Sequence, residues 1–377
     1  MDDRGVTDAD RYAGNVFTPA SSPVALWRTA LVGALSALLL STSACAPADD
    51  RDAEAPGVGG LEREVTFEGG GHEVSGTFRI PEGTPGTMPG ALIISGSGPT
   101  DRDGNSVLRP GADTNLNLSR VLADLGVASL RYDKYGSSPD FEAPDPEEGP
   151  VDPLVFDEQV AAAYEELVAQ PEVDPERVVV VGHSEGALYA LRAHELIGER
   201  SSSPALVLAA PPGTRYLDLI DRQLTEQIRR AEAMGQIRGG LATSVLSDSR
   251  AARAAIRAGR SLESADLVDV GVFGVYTGAN EDFLAYMDSF DPVNLAEDLP
   301  EGTPVLVLWG EEDAQVSREG VDRLMTGLDD AERVDVPDAD HIFRRYEDEP
   351  GATVLDAQRP FATGVAPALE GFLDTAW

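Results

Sequence analysis

The sequence predicts an α/β fold in which a mostly parallel central sheet, flanked by helices, carries a helical cap insertion. Near-continuous Val/Leu/Ile runs such as 91–95 and 177–184 alternate with amphipathic segments, which is typical of parallel strands buried on both faces. The alternation stops at about 213–300, where apolar residues recur with helical spacing, and it resumes with a strand at 304–310. A domain over 61–377 with this insertion accounts for both observations.

The elements ahead of the insertion follow from local patterns. Residues 63–81 alternate polar and apolar side chains in two arms around a Gly-rich turn, which predicts two strands. A helix at 118–126 ends at a glycine and leads into a strand at 127–133. An acidic, Pro-rich loop at 139–153 separates that strand from an amphipathic helix at 156–170.

The later elements continue the same pattern. The strand at 177–184 meets a sharp turn, and a helix is predicted directly after it at 185–198. The remaining strands are predicted at 204–212, 304–310 and 332–343, the last one including a loop. The remaining helices are predicted at 216–234, 251–259 and 280–290 within the insertion, and at about 361–373 near the end of the chain.

Composition and charge exclude several classes of function. The chain has 66 Asp and Glu against 29 Lys and Arg, for a formal net charge of −37, so its surface repels phosphate backbones and we expect no nucleic-acid partner. A single cysteine excludes an intramolecular disulfide and a Cys-rich metal site, and four histidines leave little material for a multi-histidine zinc site. The sequence contains no Walker loop and no dinucleotide fingerprint. We therefore expect neither a metal nor a cofactor.

Residues 1–45 are predicted to be a targeting segment. Arg28 precedes a short apolar run that ends in small residues before Cys45, which is the order of a secretory signal. The run is short for a membrane span, which needs about 20 apolar residues. Cys45 stands where a bacterial lipoprotein signal places its lipid-anchored cysteine, although Thr42 replaces the usual aliphatic residue. Plain secretion, with cleavage that removes Cys45, and an uncleaved anchor stay open.

The targeting segment implies a location outside the cytoplasm. Residues 46–60 are rich in Ala, Asp, Pro and Gly and are predicted to be a flexible tether. We expect an extracellular or cell-envelope protein that touches the membrane only through a lipid on Cys45. Residues 1–23 are acidic and polar, unlike the start of a signal, which suggests that translation begins near Val24.

One motif indicates a nucleophile. Gly182-His183-Ser184-Glu185-Gly186 fits the pattern G-x-S-x-G and lies between a predicted strand and a predicted helix, which is the context that the pattern requires. Glycines let the strand and helix approach closely, and a strained turn lifts the serine hydroxyl clear of the backbone. We interpret Ser184 as the nucleophile. The alternative is a strand-to-helix turn that merely favours small residues.

A serine hydroxyl needs a base to take its proton, and the base needs an acid to orient it. His341 follows Ser184 at a distance, in a loop after a predicted strand, and is the candidate base. The other histidines lie in the first pair of strands, inside the motif or on the helix after it: His72, His183 and His194. Asp313, directly after the strand at 304–310, is the candidate acid. Its rivals are Glu311, Glu312, Asp338 and Asp340.

From about residue 63 to 375 the chain resembles the α/β-hydrolase superfamily, and specifically its bacterial serine esterase and serine aminopeptidase-like branch. The segments that carry the resemblance are SGSGPTDRDGN (95–105), RYDKYGS (131–137), GHSEG (182–186), and GEEDAQV (310–316) with ADHIF (339–343). The first is the most specific and looks like the oxyanion loop of that branch. The order Ser184, Asp313, His341 is also the order found in these enzymes. The second segment departs from the family pattern, because Tyr135-Gly136 stands where Arg-Gly is commoner.

The resemblance implies an oxyanion hole and an activity. One donor would be the N–H of Ser97, with Gly98 as the alternative, and Glu185 would supply the other; each is worth about 3 kcal/mol of barrier. The expected activity is that of a serine hydrolase that cleaves carboxylic esters through an acyl-enzyme, with the insertion as a lid that sets substrate size. Short peptides or amides come second, since the same site serves both. Acyl transfer to another acceptor and a surface lipoprotein that binds without hydrolysis are further alternatives.

Overall fold

The structure, a computed structural model of the chain, describes residues 60–83, 86–107, 109–138, 152–198, 203–237, 239–262, 275–346 and 355–377. The predicted targeting segment with Cys45, and residues 46–59 of the predicted tether, lie outside the described residues. No helix in the described ranges combines the length and the hydropathy that a membrane span requires.

One sheet forms the centre of the fold. The strands are β1 (Leu61–Gly69), β2 (His72–Ile80), β3 (Met88–Ile94), β4 (Ala128–Tyr132), β5 (Val173–His183), β6 (Ala205–Ala209), β7 (Val305–Gly310) and β8 (Glu332–Val336). Within the described residues, eight strands pair in the order β1-β2-β4-β3-β5-β6-β7-β8. The pairs β1–β2 and β2–β4 are antiparallel, and all the following pairs are parallel. The predicted α/β fold with a mostly parallel sheet is confirmed.

The apolar strands are buried on both faces of the sheet. Along β5, Val178 and Val180 face one hydrophobic cluster while Val179 and Val181 face the other, because successive side chains of a strand point to opposite faces. All four are at most 4% exposed. Burying a valine side chain contributes about 1.5 to 3 kcal/mol, so this strand anchors the two cores at once.

Helices cover both faces of the sheet. They are α1 (Thr114–Asp124), α2 (Leu154–Val168), α3 (Gly186–Leu191), α4 (Ala193–Leu196), α5 (Tyr216–Ala233), α6 (Gly239–Arg257), α7 (Glu281–Ser289), α8 (Pro292–Glu297), α9 (Arg318–Leu324) and α10 (Val365–Ala376). The apolar side chains of α1 and α10 pack on one face, and those of α2 and α3 pack on the other. The carboxyl ends of the parallel strands are thereby held in fixed positions.

The helices α5 to α8 occupy the predicted insertion between β6 and β7. Three of them, α5, α6 and α7, are joined around Asp288, a 2% exposed carboxylate on α7. Asp288 accepts hydrogen bonds from the guanidinium groups of Arg215 and Arg257 and from the backbone N–H of Leu217. Because a buried carboxylate is stable only with such partners, these bonds hold α5, α6 and α7 in one arrangement.

The structure departs from the predicted elements at several boundaries. The predicted helix at 185–198 is broken at Arg192, whose guanidinium forms two hydrogen bonds, 3.0 and 2.6 Å long, to Asp157 of α2. The helix predicted at 251–259 begins much earlier, at Gly239. Its first half contains Gly, Ser and Thr, which favour helices weakly, but Val245 packs into a cluster with α5. Tertiary contacts therefore overrode local propensity at both places.

Candidate active site

The turn that carries Ser184 lies between β5 and α3. Ser184 has a φ of 54°, in the left-handed region that costs a non-glycine residue about 1 to 2 kcal/mol. A Cβ at Gly182 would lie 2.3 Å from the carbonyl oxygen of Gly186, and a Cβ at Gly186 would lie 2.3 Å from that of Ile94. Both positions therefore require glycine. The backbone N–H of Ser184 donates to the carbonyl of Ala209 over 2.8 Å, which holds the strained turn in place.

The structure brings Ser184, His341 and Asp313 together in one chain of hydrogen bonds. His341 Nε2 lies 3.1 Å from Ser184 Oγ, and His341 Nδ1 lies 2.8 Å from Asp313 Oδ2. Since a carboxylate can only accept, Nδ1 carries the proton and Nε2 is left as the acceptor for the serine hydroxyl. The three residues follow β5, β7 and β8, whose carboxyl ends lie at one edge of the sheet.

Asp313 is held so that one oxygen is directed at the histidine. Its side chain is 0% exposed. Oδ1 accepts hydrogen bonds from the backbone N–H groups of Gln315 and Val316 over 2.7 and 2.8 Å, which leaves Oδ2 for His341. Trp309 Nε1 donates to the carbonyl of Val316 over 3.0 Å and closes the loop. The carboxylate is thus oriented by its own loop before any substrate binds.

Two of the four rival carboxylates lie near arginines, and the other two are exposed. Asp340 accepts a hydrogen bond from Arg359 over 2.7 Å, and Glu311 lies 3.6 Å from Arg318 at the surface. The other two rivals are exposed: Glu312 and Asp338. Of the five carboxylates that the sequence offered, Asp313 is the one hydrogen-bonded to His341.

His183, inside the motif, holds the loop that carries His341. Its Nε2 lies 2.9 Å from the carbonyl oxygen of His341. Burial, the largest cause, and the neighbouring His341 together lower the pKa of His183 to about 3. The ring is therefore neutral near pH 7 and donates from Nε2 to that carbonyl. No local pattern in the sequence indicates this role, because the partner lies 158 residues away in the chain.

Replacing His183 with glutamine is expected to weaken the pH dependence of stability on the acid side. The folded-state pKa of about 3 lies below the ordinary value of 6.5. The unfolded chain therefore takes up the proton first, so this contribution is complete above pH 6.5 and is lost as the pH falls towards 3. At pH 5 the loss from this one group is about 2 kcal/mol.

Urea unfolding at pH 7 and pH 5 measures the effect of His183→Gln. The glutamine amide can donate to the same carbonyl but gains no proton on acidification. The wild type should lose about 2 kcal/mol more of its unfolding free energy than the variant between the two pH values. Equal losses would show that His183 is not held neutral in the folded state.

The loop after β3 passes directly beside the nucleophile. A Cβ at Gly96 would lie 3.2 Å from His183 Nδ1 and 3.3 Å from Ser184 Cβ. Gly98 has a φ of 78°, and its carbonyl accepts a hydrogen bond from the N–H of Thr100. Among the described residues, no acceptor takes up the backbone N–H groups predicted as oxyanion donors: Ser97, Gly98 and Glu185. The start of this loop, at Gly96, therefore lies against the nucleophile turn.

Residues 108–357, well over half of the chain, match the model of the Alpha/beta hydrolase family. The chain belongs to the alpha/beta hydrolase family. Membership makes it a hydrolase, and it confirms the superfamily that the motifs resemble.

Several solved structures are similar to this alpha/beta hydrolase at low identity. Proline iminopeptidase from Mycobacterium smegmatis is 17% identical with a TM-score of 0.50, over 83% of this chain and 98% of that one. DcsB in complex with its substrate analogue is 14% identical with a TM-score of 0.52, over 84% and 100%. Est1E from Butyrivibrio proteoclasticus is 17% identical with a TM-score of 0.49, over 82% and 97%. No curated protein matches the chain.

A buried charge cluster beneath the site of this alpha/beta hydrolase was missed by sequence analysis. Lys134, just after β4, donates from Nζ to the carbonyl of Gly96 over 2.5 Å and to Glu185 Oε1 over 3.1 Å. Tyr216, the first residue of α5, donates to Glu185 Oε2 over 2.5 Å. The side chains of Lys134 and Glu185 are 7% and 3% exposed. One signal was available, because Lys134 is the single lysine of the chain.

The part of this alpha/beta hydrolase that the structure describes contains no group of three or more His, Cys, Asp or Glu side chains arranged to hold a metal ion. At the site, the structure brings together Ser184, His341 and Asp313. These groups can activate a hydroxyl.

Proposed function

We propose that this protein is a serine hydrolase that cleaves carboxylic esters through an acyl-enzyme. Ser184 is the nucleophile, His341 the general base and Asp313 the orienting acid. The N–H groups of Glu185 and of Ser97, or Gly98 in its place, bind the oxyanion. The observation that carries the proposal is the unbroken hydrogen-bond chain from Asp313 through His341 to Ser184 Oγ.

The first half of the reaction forms the acyl-enzyme. Ser184 Oγ attacks the acyl carbon while its proton passes to His341 Nε2, and Asp313 stabilises the resulting imidazolium. The carbonyl oxygen becomes an oxyanion that the backbone N–H groups bind, each contributing about 3 kcal/mol to lowering the barrier. The intermediate collapses as the C–O bond to the alcohol breaks, and the alcohol leaves with the proton held on Nε2.

The second half repeats the first with water as the nucleophile. His341 takes a proton from water, the hydroxide adds to the acyl carbon, and the second tetrahedral intermediate expels Ser184. The acid leaves, and the proton on Nε2 returns to Ser184 Oγ. Every step uses the same hydrogen bonds of the site, with water as the added reactant.

The pairing of Glu185 favours esters over the free amino termini of peptides. An aminopeptidase needs an anion to hold the substrate ammonium. The carboxylate next in sequence to the nucleophile is that of Glu185, and it is already paired with Lys134 and hydrogen-bonded to Tyr216. A neutral ester carries no group that requires such an anion.

A fluorophosphonate probe combined with ester turnover tests the proposal. We expect the probe to label Ser184 at one equivalent per chain, located by peptide mass spectrometry, and to abolish hydrolysis of p-nitrophenyl butyrate in proportion. The matched control is Ser289→Ala, since Ser289 is an exposed serine on α7 and its variant should label fully.

The substrate panel separates the remaining alternatives. Turnover of p-nitrophenyl esters without turnover of amino-acid p-nitroanilides supports the esterase. Faster turnover of the anilides, with the same label on Ser184, overturns the ester assignment in favour of an amidase or peptidase. A folded protein that neither turns over nor takes the label is a binding protein. Formation of butyrate esters from added alcohols identifies acyl transfer.

A further inference from the structure

Lys134 is an exceptional residue in this chain. Of the 29 basic residues, 28 are arginine and one is lysine. That lysine is buried, with 6% of its surface exposed, and lies beneath the loop that passes the nucleophile. Since the chain uses arginine everywhere else, a requirement for positive charge alone does not explain the lysine.

Stability alone does not explain it either. Removing an ammonium and a carboxylate from water costs several kcal/mol each, and well-packed apolar side chains in their place are often as stable or more so. The Lys134–Glu185 pair is among the most buried ion pairs of the described residues. A pair so placed is better explained by the geometry that it imposes on its neighbours.

The first of those neighbours is the Gly96 carbonyl. Lys134 Nζ donates to this oxygen over 2.5 Å. The oxygen belongs to the same peptide unit as the N–H of Ser97, and the described chain contains no cis peptide bond. In a trans peptide the C=O and the N–H point in opposite directions, so fixing the oxygen also fixes the direction of the N–H. Lys134 thereby sets the orientation of one proposed oxyanion donor.

The second neighbour is Glu185, whose backbone N–H is the other proposed donor. Lys134 Nζ lies 3.1 Å from Oε1 of this residue, and the Tyr216 hydroxyl donates to Oε2 over 2.5 Å. Burial and the charge of Glu185 both raise the pKa of Tyr216, so its hydroxyl stays protonated and remains a donor. The side chain of Glu185 is therefore tied at both oxygens, which limits movement of its backbone.

The chemistry of an ammonium suits this position. Its three N–H groups point in tetrahedral directions from a compact atom, so two acceptors on different segments can be reached at once. A guanidinium is planar and wider, so its donors would lie at different positions in this buried space from those of the compact ammonium.

We propose that Lys134 is a positioning residue that joins the Gly96 carbonyl to the Glu185 carboxylate and so fixes the backbone N–H groups of Ser97 and Glu185 as donors of the oxyanion hole. The inference rests on the proposed function, because it assigns a role in stabilising the same oxyanion. Lys134 acts through Gly96 and Glu185 and does not itself touch the reacting atoms.

Lys134→Met tests the proposal by removing the ammonium while keeping the length of the side chain. Misaligned donors weaken transition-state stabilisation but leave ground-state binding unchanged. We therefore expect kcat per active site to fall about 10- to 100-fold, with KM within about threefold of the wild-type value. Active sites are counted by fluorophosphonate labelling at completion. Affinity for an alkylboronic acid, whose adduct on Ser184 mimics the tetrahedral intermediate, should fall by a similar factor. Lys134→Arg should not restore kcat.

Two further variants separate positioning from a merely structural role. Tyr216→Phe removes only the bond to Glu185 Oε2, so kcat should fall less, about three- to tenfold, with KM unchanged. Arg192→Met breaks another buried ion pair, the one between Arg192 and Asp157. The side chains of this pair are 6% and 10% exposed. The substitution should lower the melting temperature but leave kcat per labelled site unchanged. If Lys134→Met behaves like Arg192→Met, the proposal is overturned.

The single lysine also permits a measurement on the unmutated protein. Protein grown with lysine labelled with ¹⁵N at Nζ carries one labelled ammonium. Its resonance should shift when the boronic acid binds the wild type, and it should stay unchanged in Ser184→Ala. A resonance that does not move with bound boronate overturns the proposal even if Lys134→Met fails to fold. Wild-type protein that takes no label and turns over no ester contradicts the proposed function itself, which is a different result.

Discussion

Replacing Ser184 with alanine is expected to lower kcat for ester hydrolysis by at least about a thousandfold, and up to about a millionfold. The change removes the oxygen that attacks the acyl carbon, so no acyl-enzyme can form. Hydrolysis that remains comes from water bound near His341 and from the oxyanion donors, which by themselves retain about 10³- to 10⁴-fold over the reaction in water.

The Ser184 variant should fold like the wild type. Alanine and serine bear similar strain at a φ of 54°, and the bond from the residue 184 N–H to the Ala209 carbonyl is a backbone bond. We therefore expect the melting temperature to stay within about 2 °C, since only a few tenths of a kcal/mol change. Turnover of p-nitrophenyl butyrate is compared with Ser289→Ala, which should match the wild type. Ser184→Ala retaining a tenth of wild-type kcat would falsify the nucleophile assignment.

Asp313→Asn is expected to lower kcat by about 10⁴-fold while leaving the arrangement of the site intact. Asp313 Oδ1 accepts two backbone N–H groups, from Gln315 and Val316. Asparagine must keep its oxygen at that position, because its NH₂ would oppose those two donors. Its NH₂ therefore faces His341 Nδ1, which can then only accept, and the imidazole proton moves to Nε2. With a proton on Nε2, His341 cannot take one from Ser184 Oγ.

The control for Asp313→Asn is Glu312→Gln, one position away on the exposed side of the same loop. It should alter kcat by no more than about twofold, since removing a solvent-screened surface charge has little effect. The two variants are compared by kcat for p-nitrophenyl butyrate at pH 7 to 9. Similar activity of Asp313→Asn and the wild type at every pH would mean that another group orients His341.

Much of the architecture could be predicted because it follows from burial alone. Near-continuous apolar runs such as β5 identify strands covered on both faces. The interruption of the alternation between strands and helices at about 213–300 identifies the insertion. Boundaries were harder to predict where a contact from elsewhere decided them. Arg192 interrupts a helical pattern only because Asp157 of α2 lies opposite.

The residues of the candidate site also divide into those that the local sequence predicts and those that tertiary contacts decide. Ser184 was identifiable because the turn that carries it needs glycine two residues before and two residues after the serine, and that requirement is local. Asp313 and His341 were identifiable by their places after strands, but five carboxylates fitted the acid. The choice among them depends on which loop oxygen lies 2.8 Å from the histidine. That distance arises from the pairing of β7 with β8 and is not encoded in any short segment.

The sequence by itself determined the fold class, the nucleophile motif and the chain order of the candidate residues, because hydrophobic periodicity and a Gly-bounded turn are properties of neighbouring residues. The targeting segment with Cys45 stays a prediction. Only the tertiary structure showed that His183 holds the His341 carbonyl and that Lys134 joins Gly96 to Glu185. These contacts link segments 38 to 158 residues apart. A pattern of burial predicts that such side chains are inside, whereas packing of the whole sheet decides which groups they meet.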